Sequence, residues 1–151
     1  LEEGSIRIDG MRVRHPSVTM AIRLRVGGLT ICYAPDNELD GPTHGVDDPD
    51  WKARMIDFVR GADLLIHDAM YTDREYEHCR GWGHSTFRQA LNLAGEAECR
   101  RLLLFHHDPD RSDDELDRIV DQFRDESERR GLGLELDAAA EGRECPFTHE
   151  P

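Results

Sequence analysis

An α/β fold, a β-hairpin followed by alternating strands and helices, is what three features of the sequence predict. Residues 18–26 (VTMAIRLRV) alternate with period two and run into Gly27-Gly28, the pattern of a strand entering a two-residue hairpin turn. Two continuous apolar runs, ADLLI at 62–66 and RLLLF at 101–105, have the length and composition of buried strands. Between and after them, apolar residues recur at intervals of three and four, the spacing of amphipathic helices. Strands alternating with helices in this way build a largely parallel sheet, here with an antiparallel hairpin at one side. The 151 residues, 38% of them hydrophobic, suffice for one domain and fall short of two ordinary ones.

The elements are predicted in chain order as follows. Met20, Ile22, Leu24 and Val26 share one face of the first strand, with Arg23 and Arg25 on the other, and Leu29–Tyr33 returns as the second strand. Pro35, Gly41 and Pro42 mark a loop, after which Asp50 caps a helix with Trp51, Met55, Phe58 and Val59 inward and Gly61 at its end. Ala62–Ile66 is the third strand. Ser85 or Thr86 caps a second helix with Phe87, Ala90, Leu91 and Ala94 inward, and Arg101–Phe105 is the fourth strand. Ser112 and Glu115 form a capping box for a third helix whose stripe is Leu116, Ile119, Val120 and Phe123; Gly131 ends it. A last strand covers Leu132–Leu136. Residues 1–141 form the domain and 142–151 a loose tail.

In open α/β sheets ligands collect beyond the carboxyl ends of the strands. The polar residues of this chain gather there. Asp36 follows the second strand, His67-Asp68 the third and His106-His107-Asp108 the fourth; His15 precedes the first strand and His84 stands just ahead of a helix. Histidine and carboxylate donors suit zinc, manganese or iron, and a pair of such ions can bind a phosphoryl group and activate water. A histidine at a helix N-terminus suits an anionic substrate. Each residue also has an ordinary structural reading: His15-Pro16 and Asp36 as turn residues, His67-Asp68 as partners for loop backbone, His84 as a surface residue beside a cap. The pair His106-His107, directly after an apolar strand, fits such a reading least well. Cys32 reads as inert packing, and Trp82 as either a pocket wall or an edge cover. His44, His78 and His149 carry no assignment.

Charge and composition exclude several classes. Nineteen Lys and Arg against 32 Asp and Glu leave a net charge of −13, which repels polyanions and argues against a broad nucleic-acid groove. A small anionic substrate is compatible with it where a dication reverses the local sign. No apolar stretch approaches the roughly 20 residues needed to span a bilayer, and no signal-peptide pattern is visible. The four cysteines form no C-x-x-C pair, so a reducing, cytoplasmic setting is expected. No glycine-rich phosphate loop of the G-x-G-x-x-G or P-loop type is present.

Taken in order, His15-Pro16, Tyr33-Ala34-Pro35-Asp36-Asn37-Glu38, Ala62-Asp63-Leu64-Leu65-Ile66-His67-Asp68-Ala69, Gly83-His84-Ser85-Thr86 and Leu104-Phe105-His106-His107-Asp108-Pro109 resemble the C-terminal half of the metallo-β-lactamase-fold hydrolases. The branch they resemble most contains ribonuclease Z and the cyclic phosphodiesterases. The resemblance implies half of an αββα sandwich with a dinuclear metal site at one edge, and hydrolysis of a phosphodiester by a metal-bound hydroxide. It makes His15 a ligand of one metal, Asp36 the bridge, His106 a ligand of the other with His107 as its neighbour, and His84 the group that contacts the phosphate or protonates the leaving group. Two divalent ions, zinc or alternatively manganese or iron, are the implied cofactors.

The chain departs from that family in two respects. The H-x-H-x-D-H motif expected ahead of His15 is absent, and His15, Asp36 and His106 alone would give each ion about two protein ligands instead of three or four. The chain therefore reads as the C-terminal half of a longer enzyme, with one sheet face lacking its apolar partner and prone to self-association. The tRNA-gripping arm of ribonuclease Z is replaced by the plain Gly27-Gly28 hairpin, His15 and Asp36 being 21 residues apart, which points to a smaller phosphodiester. Two other functions compete: a non-catalytic half-fold interaction module, and an α/β small-molecule binding domain.

Overall fold

The computed structural model describes residues 5–147. Six strands form one mixed sheet in sequential order: β1 (Ile6–Arg12), β2 (Met20–Val26), β3 (Leu29–Ala34), β4 (Leu64–Asp68), β5 (Arg101–Phe105) and β6 (Glu135–Ala138). The first three pair antiparallel and β3 to β6 pair parallel, as strand–helix alternation requires. Four helices connect them: α1 (Trp51–Val59), α2 (Asp73–Cys79), α3 (Phe87–Glu96) and α4 (Asp113–Arg129). Among the described residues no helix is long and apolar enough to cross a membrane.

The sheet has two unlike faces. Met11, Val13, Ala21, Cys32, Ala34, Leu65, Leu102, Leu104 and Leu136 are buried in one core with Trp51, Met55, Val59, Phe87, Leu91, Val120 and Phe123 from α1, α3 and α4. On the opposite face the ladder aligns Ile8 with Leu24, Leu24 with Ile31, and Ile22 with Tyr33. Ile6 and Ile8 are each 66% exposed there, and Met20, Ile22 and Tyr33 are exposed as well. The apolar stripe of β2 thus points away from the helices, and it is Ala21, on the other face, that enters the core. Alternation located the strand; it could not say which face the helices cover.

Helix inner faces match the sequence pattern: Trp51, Met55, Phe58 and Val59 of α1 and Phe87, Ala90, Leu91 and Ala94 of α3 are all buried. On α4, Val120 and Phe123 are buried and Leu116 and Ile119 pack against the core partly covered. Several ends differ. Asp50 occupies the N-cap of α1 without capping through its side chain; its own N–H donates to Asp48 (3.0 Å). Ser112 accepts from the Glu115 N–H (3.3 Å), but the Glu115 carboxylate turns to Arg111, so the capping box is half made. Strand β4 starts two residues after Ala62 and includes His67 and Asp68, and β6 starts at Glu135, beyond the left-handed turn at Gly133. Strand β1 and helix α2 were not anticipated. The tail from Gly142 folds back as far as Phe147, whose ring lies under the Arg101 guanidinium, while Arg101 also donates to the Pro146 carbonyl. His149 and the end of the tail lie outside the described residues.

The two faces predict opposite mutational responses. Leu65→Ala, on the covered face, should lose about 2–5 kcal/mol of stability in urea titrations. Ile8→Lys, on the open face and edge strand, should change stability by less than about 1 kcal/mol. It should also reduce binding of a hydrophobic dye.

Candidate metal and catalytic centre

The parallel strands end on one edge, and the residues after them converge. Asp36 follows β3, and His106 follows β5 in a left-handed backbone conformation (φ 59°) that turns its ring sharply off the strand axis. Such a conformation is costly for a residue with a Cβ and occurs where surrounding structure enforces it. His106 Nε2 lies 3.0 Å from Asp36 Oδ1, and the rings of His106 and His84 are 4.6 Å apart between centroids. Asp36, His84 and His106 each bring one donor atom to within 4.8 Å of the others. His15 stands at the flank: its ring is 5.4 Å from that of His84, outside the three-residue group. Its Nδ1 is taken up by Ser17, whose hydroxyl is 2.9 Å away, which leaves Nε2 as the nitrogen available to a ligand.

His84 is aimed by a buried carboxylate. Asp68, at the end of β4, is fully buried and lies 2.7 Å from His84 Nδ1. The remaining capacity of Asp68 is filled by the backbone N–H groups of Asn37 (3.1 Å), Ser85 (3.2 Å) and Met70 (3.3 Å). Burial works against a charged His84, but Asp68, with Asp36 and Glu38 beyond it, outweighs burial and raises its pKa. The Tyr71–Thr86 bridge fixes the segment from both sides, and Thr86 caps α3 in a complete capping box with Gln89. His67 belongs elsewhere: it is fully buried inside the sheet, between Asn37 (3.0 Å) and the Asp68 carbonyl (2.7 Å), and burial lowers its pKa. His107 stacks on Phe87 at 6.2 Å, with burial lowering its pKa too.

A second buried carboxylate shapes the loop before His84. Glu38 accepts from the N–H groups of Gly81 (2.7 Å) and Gly83 (2.9 Å), from the Tyr76 hydroxyl (2.7 Å) and from His44 Nε2 (2.8 Å). Burial opposes its charge, yet these four partners hold its pKa below the ordinary carboxylate value. Gly83 has φ 100° and packs so tightly that a Cβ would sit 2.4 Å from His15 Cδ2 and from Pro16 Cδ. Glycine is required there on both counts.

The donor set fits a divalent cation. Asp36 and His106 offer a carboxylate and an imidazole at a half-exposed edge beside His84, and the orienting of a histidine such as His84 by a buried carboxylate is the usual outer support of a metal-binding or catalytic histidine. Comparison with known proteins agrees with this geometry: residues 2–107 match the profile of the beta-lactamase superfamily domain. The chain belongs to this family. Ribonuclease Z of Thermoplasma acidophilum is 32% identical over 120 residues, covering 72% of this chain and 39% of that protein. Ribonuclease Z of Haloferax volcanii is 49% identical over 51 residues, 34% of this chain and 16% of the other. Among solved structures, the metallo-beta-lactamase fold protein YhfI from Bacillus subtilis superposes with a TM-score of 0.68 at 24% identity, covering 95% of this chain and 49% of YhfI. A diphosphatase from the PhnP family gives 0.61 at 18% identity, covering 98% and 46%. These structures establish the metallo-β-lactamase fold. The chain spans about two fifths to one half of the length of each of these proteins except the shorter Haloferax match.

Glu38, Asn37 and Ser85 are the members of this centre that the sequence did not single out as functional, while Asp68 stood out only with His67 as a polar residue at a strand end that loop backbone explains as well. The one available signal was an acidic residue directly after an apolar strand, which also describes a common loop residue. Glu38→Gln keeps the shape but points an amide NH2 at two of the four donors, so it should cost about 1–3 kcal/mol. Hydrogen exchange at the amides of Gly81 and Gly83 should accelerate in this variant. Unchanged protection of both amides would show that the clamp does not hold the loop.

Proposed function

We propose that this chain supplies the C-terminal half of a metal-dependent phosphodiesterase centre. The observation that carries this reading is the convergence of Asp36, His84 and His106 at one sheet edge, with His84 held by the buried Asp68. Membership of the beta-lactamase superfamily and the likeness to ribonuclease Z and to a PhnP-family diphosphatase support phosphodiester hydrolysis as the reaction class. Asp36 and His106 would hold divalent metal, with His15 at its flank as a further ligand, and zinc is the metal that best suits this donor set. Bound there, the ions would supply Lewis acidity and water of lowered pKa. The ligands this chain lacks would come from the rest of the full-length protein, whose apolar sheet would cover the open face of β1 to β3.

The chain's own residues then do the following. His84 keeps Nδ1 on Asp68, which leaves Nε2 to hydrogen-bond the phosphate and to pass a proton to the leaving oxygen. The backbone N–H groups at the start of α3 lie beside it and favour an anion. Asp36 and His106, whose facing atoms are 3.0 Å apart, would hold the cation, which would supply positive charge for the phosphate. Because β2 and β3 are joined by the two-residue turn Gly27-Gly28, no arm extends from this hairpin to grip a tRNA. With the net charge of −13, this favours a small cyclic or aryl phosphodiester over precursor tRNA.

In the full-length protein Asp36→Asn and His106→Ala should abolish turnover of bis(4-nitrophenyl) phosphate and lower the bound metal measured by atomic spectroscopy. His84→Ala should keep its metal. It should slow substrates with alkoxide leaving groups by about 10²–10⁴-fold and nitrophenolate esters much less, as expected for loss of a general acid. Normal activity of the Asp36 or His106 variants would end this assignment. Wild-type protein should hydrolyse small phosphodiesters faster than precursor tRNA, and the reverse order would move it to tRNA processing.

A further inference from the structure

The loop that carries His84 also carries the most exposed aromatic residue of the centre. Trp82 is 62% exposed, and among the described residues its indole pairs with no other aromatic ring and no guanidinium. Its exposure is not the looseness of a surface loop. The residues on either side of it, Gly81 (φ 91°) and Gly83 (φ 100°), both donate their N–H groups to the carboxylate of Glu38, which is itself fully buried. Tyr76 and His44 hold that carboxylate from behind, and the Trp82 N–H donates to the Cys79 carbonyl (3.1 Å). Gly83 lies directly against His15 and Pro16, so the tip has no room to fold inward over the site.

A large apolar ring held open by buried ionic hydrogen bonds, two residues from the histidine that meets the phosphate, is preorganised to receive something planar. We propose that Trp82 is a substrate-recognition residue whose indole stacks on an aromatic group, a nucleobase or an aryl ring, carried by the phosphoester bound at His84. The proposal rests on the phosphodiester reading and narrows its substrate class. Stacking on an aromatic side chain is tolerant of which planar group is offered, and is worth about 1–3 kcal/mol per base, or at least about fivefold in affinity.

The test is equilibrium binding to the metal-loaded full-length protein, read by isothermal titration calorimetry, which works equally in variants that lack the indole. Three phosphate monoesters serve as probes: adenosine 5′-monophosphate, 4-nitrophenyl phosphate, and ribose 5-phosphate, which lacks an aromatic group. At least one aromatic ester should bind about tenfold more tightly than ribose 5-phosphate, and which one does so distinguishes a nucleobase from a simple aryl ring. Trp82→Ala should remove that advantage while leaving ribose 5-phosphate within twofold, and Trp82→Phe should restore most of it. Equal affinities in the wild type would overturn the proposal, as they would if the remainder of the protein covered the indole. A loss for all three probes alike in Trp82→Ala would also overturn it, marking Trp82 as structural. Hydrolysis of bis(4-nitrophenyl) phosphate is assayed in parallel. Trp82-dependent binding without turnover would reject phosphodiester hydrolysis and retain the stacking site.

Discussion

The fully buried carboxylate of Asp68 is the constraint around which the functional edge is assembled. An ionised carboxyl in the interior is tolerable only when its lone pairs are met by hydrogen bonds. Asp68 takes one from Asn37, after β3, two from Met70 and Ser85 on either side of α2, and one from the His84 ring. Meeting that demand draws three loops that are remote in sequence onto one point. His84 is thereby brought beside Asp36 and His106 as a consequence of solvating Asp68, and its tautomer is fixed by the same bond. Glu38 repeats the device on the neighbouring loop, with Gly81, Gly83, Tyr76 and His44 as its donors. This edge is thus held by two buried carboxyl groups, while the core beneath it is held by ordinary apolar packing.

The sheet shows why such an edge can exist in a chain of this length. One face is sealed by α1, α3 and α4, which fixes the strand order and therefore the positions of the strand ends. The other face keeps Ile6, Ile8, Met20 and Ile22 in contact with solvent, an apolar surface of the kind that soluble proteins ordinarily cover. On the proposed reading, a layer packed on that face would lie beside the same sheet edge at which Asp36, His84 and His106 converge.

Much of the fold was legible because local pattern and tertiary role coincide. Strand β5 has the bounds of the RLLLF run, the glycine pair turns as expected, and the inner faces of α1 and α3 follow their spacing. Strand β1 escaped because its apolar residues, Ile6 and Ile8, look outward, and Asp9-Gly10 interrupts the alternation. Helix α2 (DREYEHC) buries no residue and so carries no apolar stripe; it is held by the Thr72–Glu75 capping box, by Arg111 on Glu75 and by Tyr76 on Glu38. The strand-end histidines and Asp36 were visible as candidates because strand ends can be located from apolar runs. Asp68 was visible at its strand end too, but its role and that of Glu38 were not, since both consist of hydrogen bonds to residues that only the folded chain brings near.

The electrostatics of this edge explain why an anionic ester and a cation belong together here. Asp36, Glu38 and Asp68 put three carboxylates around His84, all of which favour its protonated form against the cost of burial. Left to itself, such a site would repel a phosphate, as would the chain's overall charge of −13. On the proposed reading, a divalent ion held by Asp36 and His106 would reverse the local sign on the side that His84 faces. The same acidic surroundings that would repel an anionic substrate are therefore what would attract the cation, and they favour a proton on His84. On the proposed reading, recognition of the ester would then fall to charge at the phosphate and to the clamped Trp82 beyond it.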